Sequence, residues 1–341
     1  MGALDGNGVI VTGGGRGIGK AISLLAASEG AVVVVADNGC EPDGTGTNPA
    51  IAQGVVDEIT AAGGKAVAVC EDMSTMAGAE VAVKAALDNA DRLDALITSH
   101  GIRRDTPIWE MTEDDWDSVI NGNVKGVFTT VKFATVLMRQ QRAGRVVMMT
   151  SDAGLGAVGA SNYAAAGEGV IGLSRTVARD VGRYGVTCNA ISPLARTRMS
   201  GGASEELRPP AGVRSSDTMA RIQAPFPTRK WEGDGHPDDP ASVAALAVYL
   251  ASEASAEVNG QLFGVRAGEV YLYNSPEIDR QILSYGRRFT MDELDEQRQH
   301  QVQGGRKPIL RSFKPPPCGK TTANPPEPIL PELLWLSSKV K

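Results

Sequence analysis

The sequence predicts an α/β fold: a doubly wound parallel sheet in one large domain, followed by a C-terminal extension. Three observations predict it. Short runs of β-branched residues, such as Ala31-Val32-Val33-Val34-Val35-Ala36, lack the polar alternation of a half-exposed strand. Ala- and Leu-rich helical stretches separate these runs in regular alternation as far as about Ala190. A glycine-dense turn, Thr12-Gly13-Gly14-Gly15-Arg16-Gly17-Ile18-Gly19, joins the first strand to the first helix.

Taken in order, Val9 to Val11 reads as a short buried strand, and a helix follows from about Ile18 to Ser28. The second strand is Ala31 to Ala36. Asn38 to Pro49 is rich in Gly, Asp, Asn, Thr and Pro and reads as a loop. Ile51 to Ala62 predicts a helix, Ala66 to Cys70 a third strand, Ala79 to Asn89 a helix and Ala95 to Thr98 a fourth strand. Long helices are expected over Val119 to Arg142 and Tyr163 to Tyr184, with a strand at Arg145 to Thr150 between them. From Ser200 to Pro240 the alternation stops, and Pro, Gly and charge dominate. That stretch is read as a substrate lid, or as a plain surface insertion. Val243 to Leu250 reads as a helix and Gln261 to Val265 as the last strand. Residues 1–274 thus form the main domain and 275–341 the extension. Within the extension, Ile278 to Gln301 has helical character and the proline-rich tail beyond Gly304 is extended.

Bulk properties narrow the function classes. The chain has 341 residues, 42% of them hydrophobic but only 5% aromatic, which suits close packing of small side chains. A net charge of −6 argues against a nucleic-acid partner. Cys40, Cys70, Cys188 and Cys318 are scattered and read as free thiols. The dispersed His100, His236 and His300 give no metal-ligand spacing. No apolar segment reaches the roughly 18 residues of a membrane span, and no signal-like stretch leads the sequence. A cytoplasmic protein with no membrane partner is expected.

The glycine turn follows a strand and opens a helix, the context a dinucleotide-binding (Rossmann) turn requires. Gly13 permits the bend, Gly17 and Gly19 let backbone and phosphates approach, and free N–H groups at the helix start face the pyrophosphate. Thr12, Gly13, Gly15, Arg16, Gly17, Ile18 and Gly19 are therefore expected to hold the cofactor. Asp37 ends the second strand, where a carboxylate accepts from both ribose hydroxyls and repels a 2′-phosphate. It favours NAD over NADP, although Arg16 pulls the other way. Asp72, after the third strand, flanks the adenine or is simply a solvated loop acid.

These residues resemble the short-chain dehydrogenase/reductase family over roughly Gly6 to Gly268. The Thr-Gly-x-x-x-Gly-x-Gly turn is one mark. Asn123-Val124-Lys125-Gly126 is similar to the family's Asn-x-x-Gly helix motif. Ser151-Asp152-Ala153-Gly154 is similar to its catalytic serine segment, and Tyr163 follows it at a familiar interval. Asn189 to Pro193 and Thr197-Arg198-Met199 resemble the segment beside the nicotinamide. Gly101-Ile102-Arg103-Arg104-Asp105 and Met111 to Trp116 look most like the (3R)-hydroxyacyl-CoA dehydrogenase unit of peroxisomal multifunctional enzymes and their bacterial relatives. Gly260 to Val265 and Tyr271 to Leu294 fit that group too.

The resemblance implies an NAD-dependent interconversion of a secondary alcohol and a ketone on a small-molecule substrate, with a hydroxyacyl-CoA or a steroid-like group as the candidates. Tyr163 would carry the proton, Ser151 orient the substrate oxygen and Asn123 hold a relay water. Gly101, Pro193 and Thr197 would line the cofactor. A homo-oligomer, built on the two long helices, is implied as well.

One departure stands out. The family's lysine, four positions after the tyrosine, binds the ribose and lowers the tyrosine pKa; here that position is Gly167. Thr98-Ser99-His100-Gly101 replaces an Asn-Asn-Ala-Gly turn, and Pro193-Leu194 replaces Pro-Gly. His100 is one substitute for the missing cation, a structural histidine the blander reading. Arg103 and Arg175 are further candidates for the positive charge, although helix-surface arginines do not usually reach inward, and Lys125 is expected to point elsewhere. Two rival readings follow: a degenerate subunit that supports an active paralogue, and a non-redox lyase or dehydratase with Tyr163 as an acid.

Overall fold

A computed structural model describes residues 2–201, 236, 238–266, 268–278, 281, 282, 284, 286 and 288–296. Its sheet has the strand order β3-β2-β1-β4-β5-β6-β7-β8. These strands are Lys65–Val69 (β3), Val32–Ala36 (β2), Gly8–Thr12 (β1), Ala95–Thr98 (β4), Gly144–Met149 (β5), Val186–Leu194 (β6), Leu262–Arg266 (β7) and Glu269–Leu272 (β8). All neighbours pair in parallel except β8, which turns back antiparallel on β7 through a turn containing Gly268 at φ +82. That eighth strand corrects the expectation that Gln261 to Val265 ends the sheet.

The β-branched runs form strands because both faces of the sheet are covered. On one face Val9, Val11, Val33 and Val35 pack against Ile22 and Ala26 of α1 (Gly17–Ser28), Val55 and Ile59 of α2 (Ala50–Ala61), and the helix Ala241–Ala251. On the other, Ile10, Val34 and Leu96 meet α3 (Met76–Ala90) and two long helices through Val131 and Val177. Small residues such as Ala26, Ala82, Ala86 and Ala247 let helix backbones approach the sheet closely.

The first long helix is not the single element expected from Val119 to Arg142. It begins earlier, as α4 (Glu113–Ile120), where Thr112 and Asp115 form a reciprocal capping box. It passes through a π turn, Asn121–Lys125, and continues as α5 (Gly126–Gln141). The second is α6, Ser161–Gly182, and Ala241–Ala251 is α7.

The described residues from Pro276 on belong to a second unit. Within it the helix expected from Ile278 begins only at residue 291. Gly286 lies at φ +88 upstream, and Thr290 and Glu293 cap the helix start through N–H bonds of 2.9 and 3.3 Å. The lid expected over Ser200 to Pro240 falls mostly outside the described residues, as do the proline-rich tail and Cys318. Among the described residues no helix is long and apolar enough to cross a membrane.

Strand order reverses direction between β1 and β4, so their C-terminal ends open a crevice in which such sheets hold ligands. The site discussed below combines loops from these strand ends with residues of the π turn and α6.

Candidate active site

The crevice is floored by the turn after β1. Gly13 lies at φ +65, and a Cβ there would fall 2.6 Å from the His100 backbone. Only a bare backbone lets the two strand-end turns cross this closely. The N–H of Gly13 donates to the Ala36 carbonyl at 2.7 Å, tying the turn to β2.

At the β2 end, the Asp37 carboxylate accepts from the Gly15 N–H at 3.0 Å and the Gly39 N–H at 2.8 Å. Each oxygen keeps a further lone pair, so the carboxylate is fixed but not saturated. The Arg16 guanidinium donates to the Cys40 carbonyl at 2.5 Å. Arg198 donates to the same carbonyl at 2.8 Å and lies 3.4 Å from Glu41. Asp72 accepts from the N–H and hydroxyl of Ser74, both at 2.8 Å, and lines the cavity from the β3 side.

The resulting cavity, about 680 Å³, brings together Gly13, Arg16, Gly17, Ile18, Gly19, Asp37, Asp72, Gly101, Asn123, Ser151, Tyr163, Pro193 and Thr197. Thr12 and Gly15 do not reach it: Thr12 is fully buried behind His100, and Gly15 contacts Asp37 from below. Gly17 faces Thr197, whose methyl would lie 3.3 Å from an added Cβ. A cavity lined by a carboxylate, a bare-backbone turn and the side chains of Ser151 and Tyr163 suits a dinucleotide.

The π turn gives Asn123 its orientation. One extra residue rotates this buried side chain into the crevice. Its Oδ1 accepts from the Ile102 N–H at 2.7 Å and its Nδ2 donates to the Ile102 carbonyl at 3.0 Å. Asn123 thus clamps the segment after β4.

Ser151 lies two residues beyond β5 and caps a short 3₁₀ turn, its hydroxyl accepting from the Ala153 N–H at 3.1 Å. Tyr163, in the first turn of α6, lines the cavity together with Ser151. Burial raises the Tyr163 pKa above its ordinary value, Arg103 and the Ser151 side chain oppose that rise, and Asp105 and Asp152 add to it. Asp152 is itself raised by burial.

Gly167 is buried one turn along α6, where its carbonyl accepts from the Thr150 hydroxyl at 2.7 Å. An added Cβ would meet the Ser151 carbonyl at 3.2 Å, so a side chain fits if that carbonyl yields slightly.

His100 does not replace the missing lysine. Its Nδ1 and the Thr12 hydroxyl are joined at 2.5 Å, and its Nε2 is buried against Gly126 without a partner. Burial lowers its pKa from 6.5 to about 4, so the ring is neutral at physiological pH. The unfolded chain takes up this proton near pH 6.5 and the folded chain only near 4. The stabilisation from keeping the ring neutral is therefore full above pH 6.5 and lost as pH falls toward 4. It amounts to on the order of 3 kcal/mol. Urea unfolding of the native chain should weaken over that window, and His100→Asn should flatten the dependence.

Lys125 is exposed, as expected, and Arg175 does not line the cavity. Of the cationic candidates, Arg103 reaches the site: it sits in the loop after β4, not on a helix surface as expected, with its guanidinium 5.2 Å from the centre of the Tyr163 ring. It also pairs with Asp105 at 2.7 Å. A charge pair two residues apart is visible in the sequence, but nothing local indicates its direction.

Comparisons with known proteins identify the family. The sequence model of the family described as "short chain dehydrogenase" matches residues 7–207. A hydroxyacyl-CoA dehydrogenase, ChsB1, of Mycobacterium tuberculosis is 35% identical over 307 residues, covering 85% of this chain and 87% of its own. The peroxisomal multifunctional enzyme type 2 of Mus musculus is 35% identical over 266 residues, covering 78% of this chain and 32% of that longer protein. The crystal structure of a short chain dehydrogenase from Mycobacterium avium superposes with a TM-score of 0.72 at 34% identity, covering 90% of this chain and 98% of that one.

Proposed function

The chain belongs to the short-chain dehydrogenase/reductase family and is an oxidoreductase interconverting a secondary alcohol and a ketone; from that premise we propose that it uses NAD and acts on a 3-hydroxyacyl thioester. The observation that carries the reading is that Ser151 and Tyr163 line the same cavity as Asp37, with the Ser151 side chain acting to lower the Tyr163 pKa. When bound, the dinucleotide accepts or supplies the hydride. Tyr163 takes the alcohol proton or returns it to the ketone oxygen, and Ser151 holds that oxygen in place. Asn123 keeps the wall rigid by clamping Ile102. Similarity to a hydroxyacyl-CoA dehydrogenase and to a peroxisomal multifunctional enzyme supports the thioester assignment.

The fixed Asp37 carboxylate, with Arg16 and Arg198 both engaged by Cys40, supports NAD over NADP. Removing the carboxylate takes away a charged acceptor worth about 1.5–3 kcal/mol. Asp37→Ser should therefore weaken NADH binding about tenfold or more and narrow the gap to NADPH, as read by nicotinamide fluorescence titration. Exposed Phe128 and Val136 on α5 support a homo-oligomer formed through the long helices.

The reading is tested by assaying the pure chain with NAD and a panel of 3-hydroxyacyl-CoA and hydroxysteroid substrates. Turnover of a thioester, with the steroids silent, is the expected result. A second reading rests on Gly167: a nucleotide-holding subunit that supports a lysine-bearing paralogue. Silence across the panel, relieved by co-expression with such a paralogue, would favour it. A product formed with no change in NADH absorbance would point to a lyase or dehydratase.

A further inference from the structure

A buried phenol ionises readily only where a cation faces it. Among the described residues lining the cavity, the arginines are Arg16, Arg103 and Arg198, and lysine is absent. Arg16 and Arg198 are held by the Cys40 carbonyl at the Asp37 end. His100 is neutral. The position one helical turn after Tyr163 is glycine. Arg103 is left, with its guanidinium lying over the Tyr163 ring.

Its placement is enforced from four directions. The Arg103 N–H donates to the Pro42 carbonyl at 2.8 Å. Asn123 clamps Ile102 on one side. On the other, the fully buried Asn162, beside Tyr163 in α6, donates to the Arg104 carbonyl at 2.9 Å and to the Asp115 carbonyl at 3.0 Å. The Thr106 N–H reaches the Gly159 carbonyl at 2.7 Å. The side chain is then locked by Asp105, whose carboxylate is 3% exposed and accepts from the Arg103 Nε at 2.8 Å on both oxygens. This bidentate pair leaves the planar face of the guanidinium free to lie over the ring.

We propose that Arg103, held by Asp105 and the Asn123 and Asn162 clamps, is a positioning residue that supplies the positive charge promoting Tyr163 ionisation, in the place that Gly167 leaves empty. The inference rests on the reading of Tyr163 as the proton-transfer group. It explains how a chain with glycine at position 167 keeps a working tyrosine. The charged groups facing Tyr163 are Arg103 and Asp105 from the loop after β4 and Asp152 from the turn after β5. Of these, only Arg103 favours the phenolate.

The test is an ultraviolet difference titration of the dinucleotide-free protein, with Tyr163→Phe subtracted so that only the Tyr163 phenolate is read. Arg103→Gln should move its midpoint up by about one pH unit or more, and Arg103→Lys by less. Because Arg103→Gln strands the buried Asp105, Arg103→Gln/Asp105→Asn is titrated beside it and should still lie above the native midpoint. On the rising limb of its pH profile, kcat/KM for alcohol oxidation should fall about tenfold for every pH unit by which the midpoint climbs. Adding Gly167→Lys should recover most of that loss. Native and doubly substituted proteins titrating at the same pH would overturn the proposal. A raised midpoint in a chain that turns over no substrate would sustain the Arg103 assignment and defeat the oxidoreductase reading instead, so the two failures are separable.

Discussion

Tyr163→Phe is expected to lower kcat about 10²- to 10⁴-fold in both directions of the reaction, while NADH affinity stays within a few-fold of native. The substitution removes one oxygen, the group on which the Ser151 side chain acts. Ser151 still accepts from the Ala153 N–H, so its place is kept. The ring remains beneath the Arg103 guanidinium, and the loop clamps made by Asn162 do not involve the phenol. The loss should therefore appear in kcat and spare folding. The pH dependence carries the sign. Burial raises the Tyr163 pKa, so at neutral pH the group holds its proton. Ketone reduction needs that proton and should run well at neutral pH, declining as the pH climbs through the Tyr163 pKa. Alcohol oxidation needs the phenolate and should climb with pH over the same range. In Tyr163→Phe both residual rates should lose that dependence. A phenylalanine variant with near-native kcat would place the proton transfer elsewhere.

What the sequence makes legible follows its local physics. Four consecutive valines in β2 have no other stable use than a strand buried on both faces, and their place in the sheet matches. The glycine turn is legible because its strand and helix flank it directly. The Asp37 position is legible for the same reason. The π turn is not, because residues from Glu113 to Gln141 keep helical periodicity throughout. One extra residue per turn changes where Asn123 points without changing the pattern of apolar side chains. Strand β8 is hidden for another reason. Val270 and Leu272 are more than half exposed, so their alternation carries little burial signal. Its partner contact, Tyr271 lying on Gly264, exists only after the chain turns back. Arg103 is legible only as one candidate beside Arg175 and His100, because an arginine's reach depends on how its backbone is pinned, and the pins here are Pro42, Asn123, Asn162 and Gly159, all distant in sequence. The missing lysine is plain at Gly167; which candidate is positioned to offset it is not.

The glycine turn yields the other large effect, and a contrast within the chain makes it decisive. Gly19→Ala should cost about 2–4 kcal/mol, appearing as lost stability, lost dinucleotide affinity, or both. A Cβ at Gly19 would lie 2.0 Å from the Gly13 carbonyl oxygen and 2.7 Å from its carbon, both backbone atoms that no rotamer change can move. Relief requires the first turn of α1 to lift from the turn after β1. The Ser23 hydroxyl, which donates to the Gly19 carbonyl at 2.9 Å and the Gly14 carbonyl at 3.3 Å, binds those two segments together. Lifting the helix would also carry its free N–H groups away from the pyrophosphate they are placed to meet. Gly54, in the middle of α2, is exposed and has nothing within 4 Å of its added Cβ. Gly54→Ala should therefore stabilise the fold by about 0.5–1 kcal/mol through helix propensity alone. Paired urea unfolding and NADH titration of the two variants separate the explanations. Opposite signs in stability, with affinity lost only in Gly19→Ala, are what close helix-to-turn packing requires. Similar behaviour of the two alanines would mean that the turn tolerates a side chain and that its glycines do not set the approach of the cofactor.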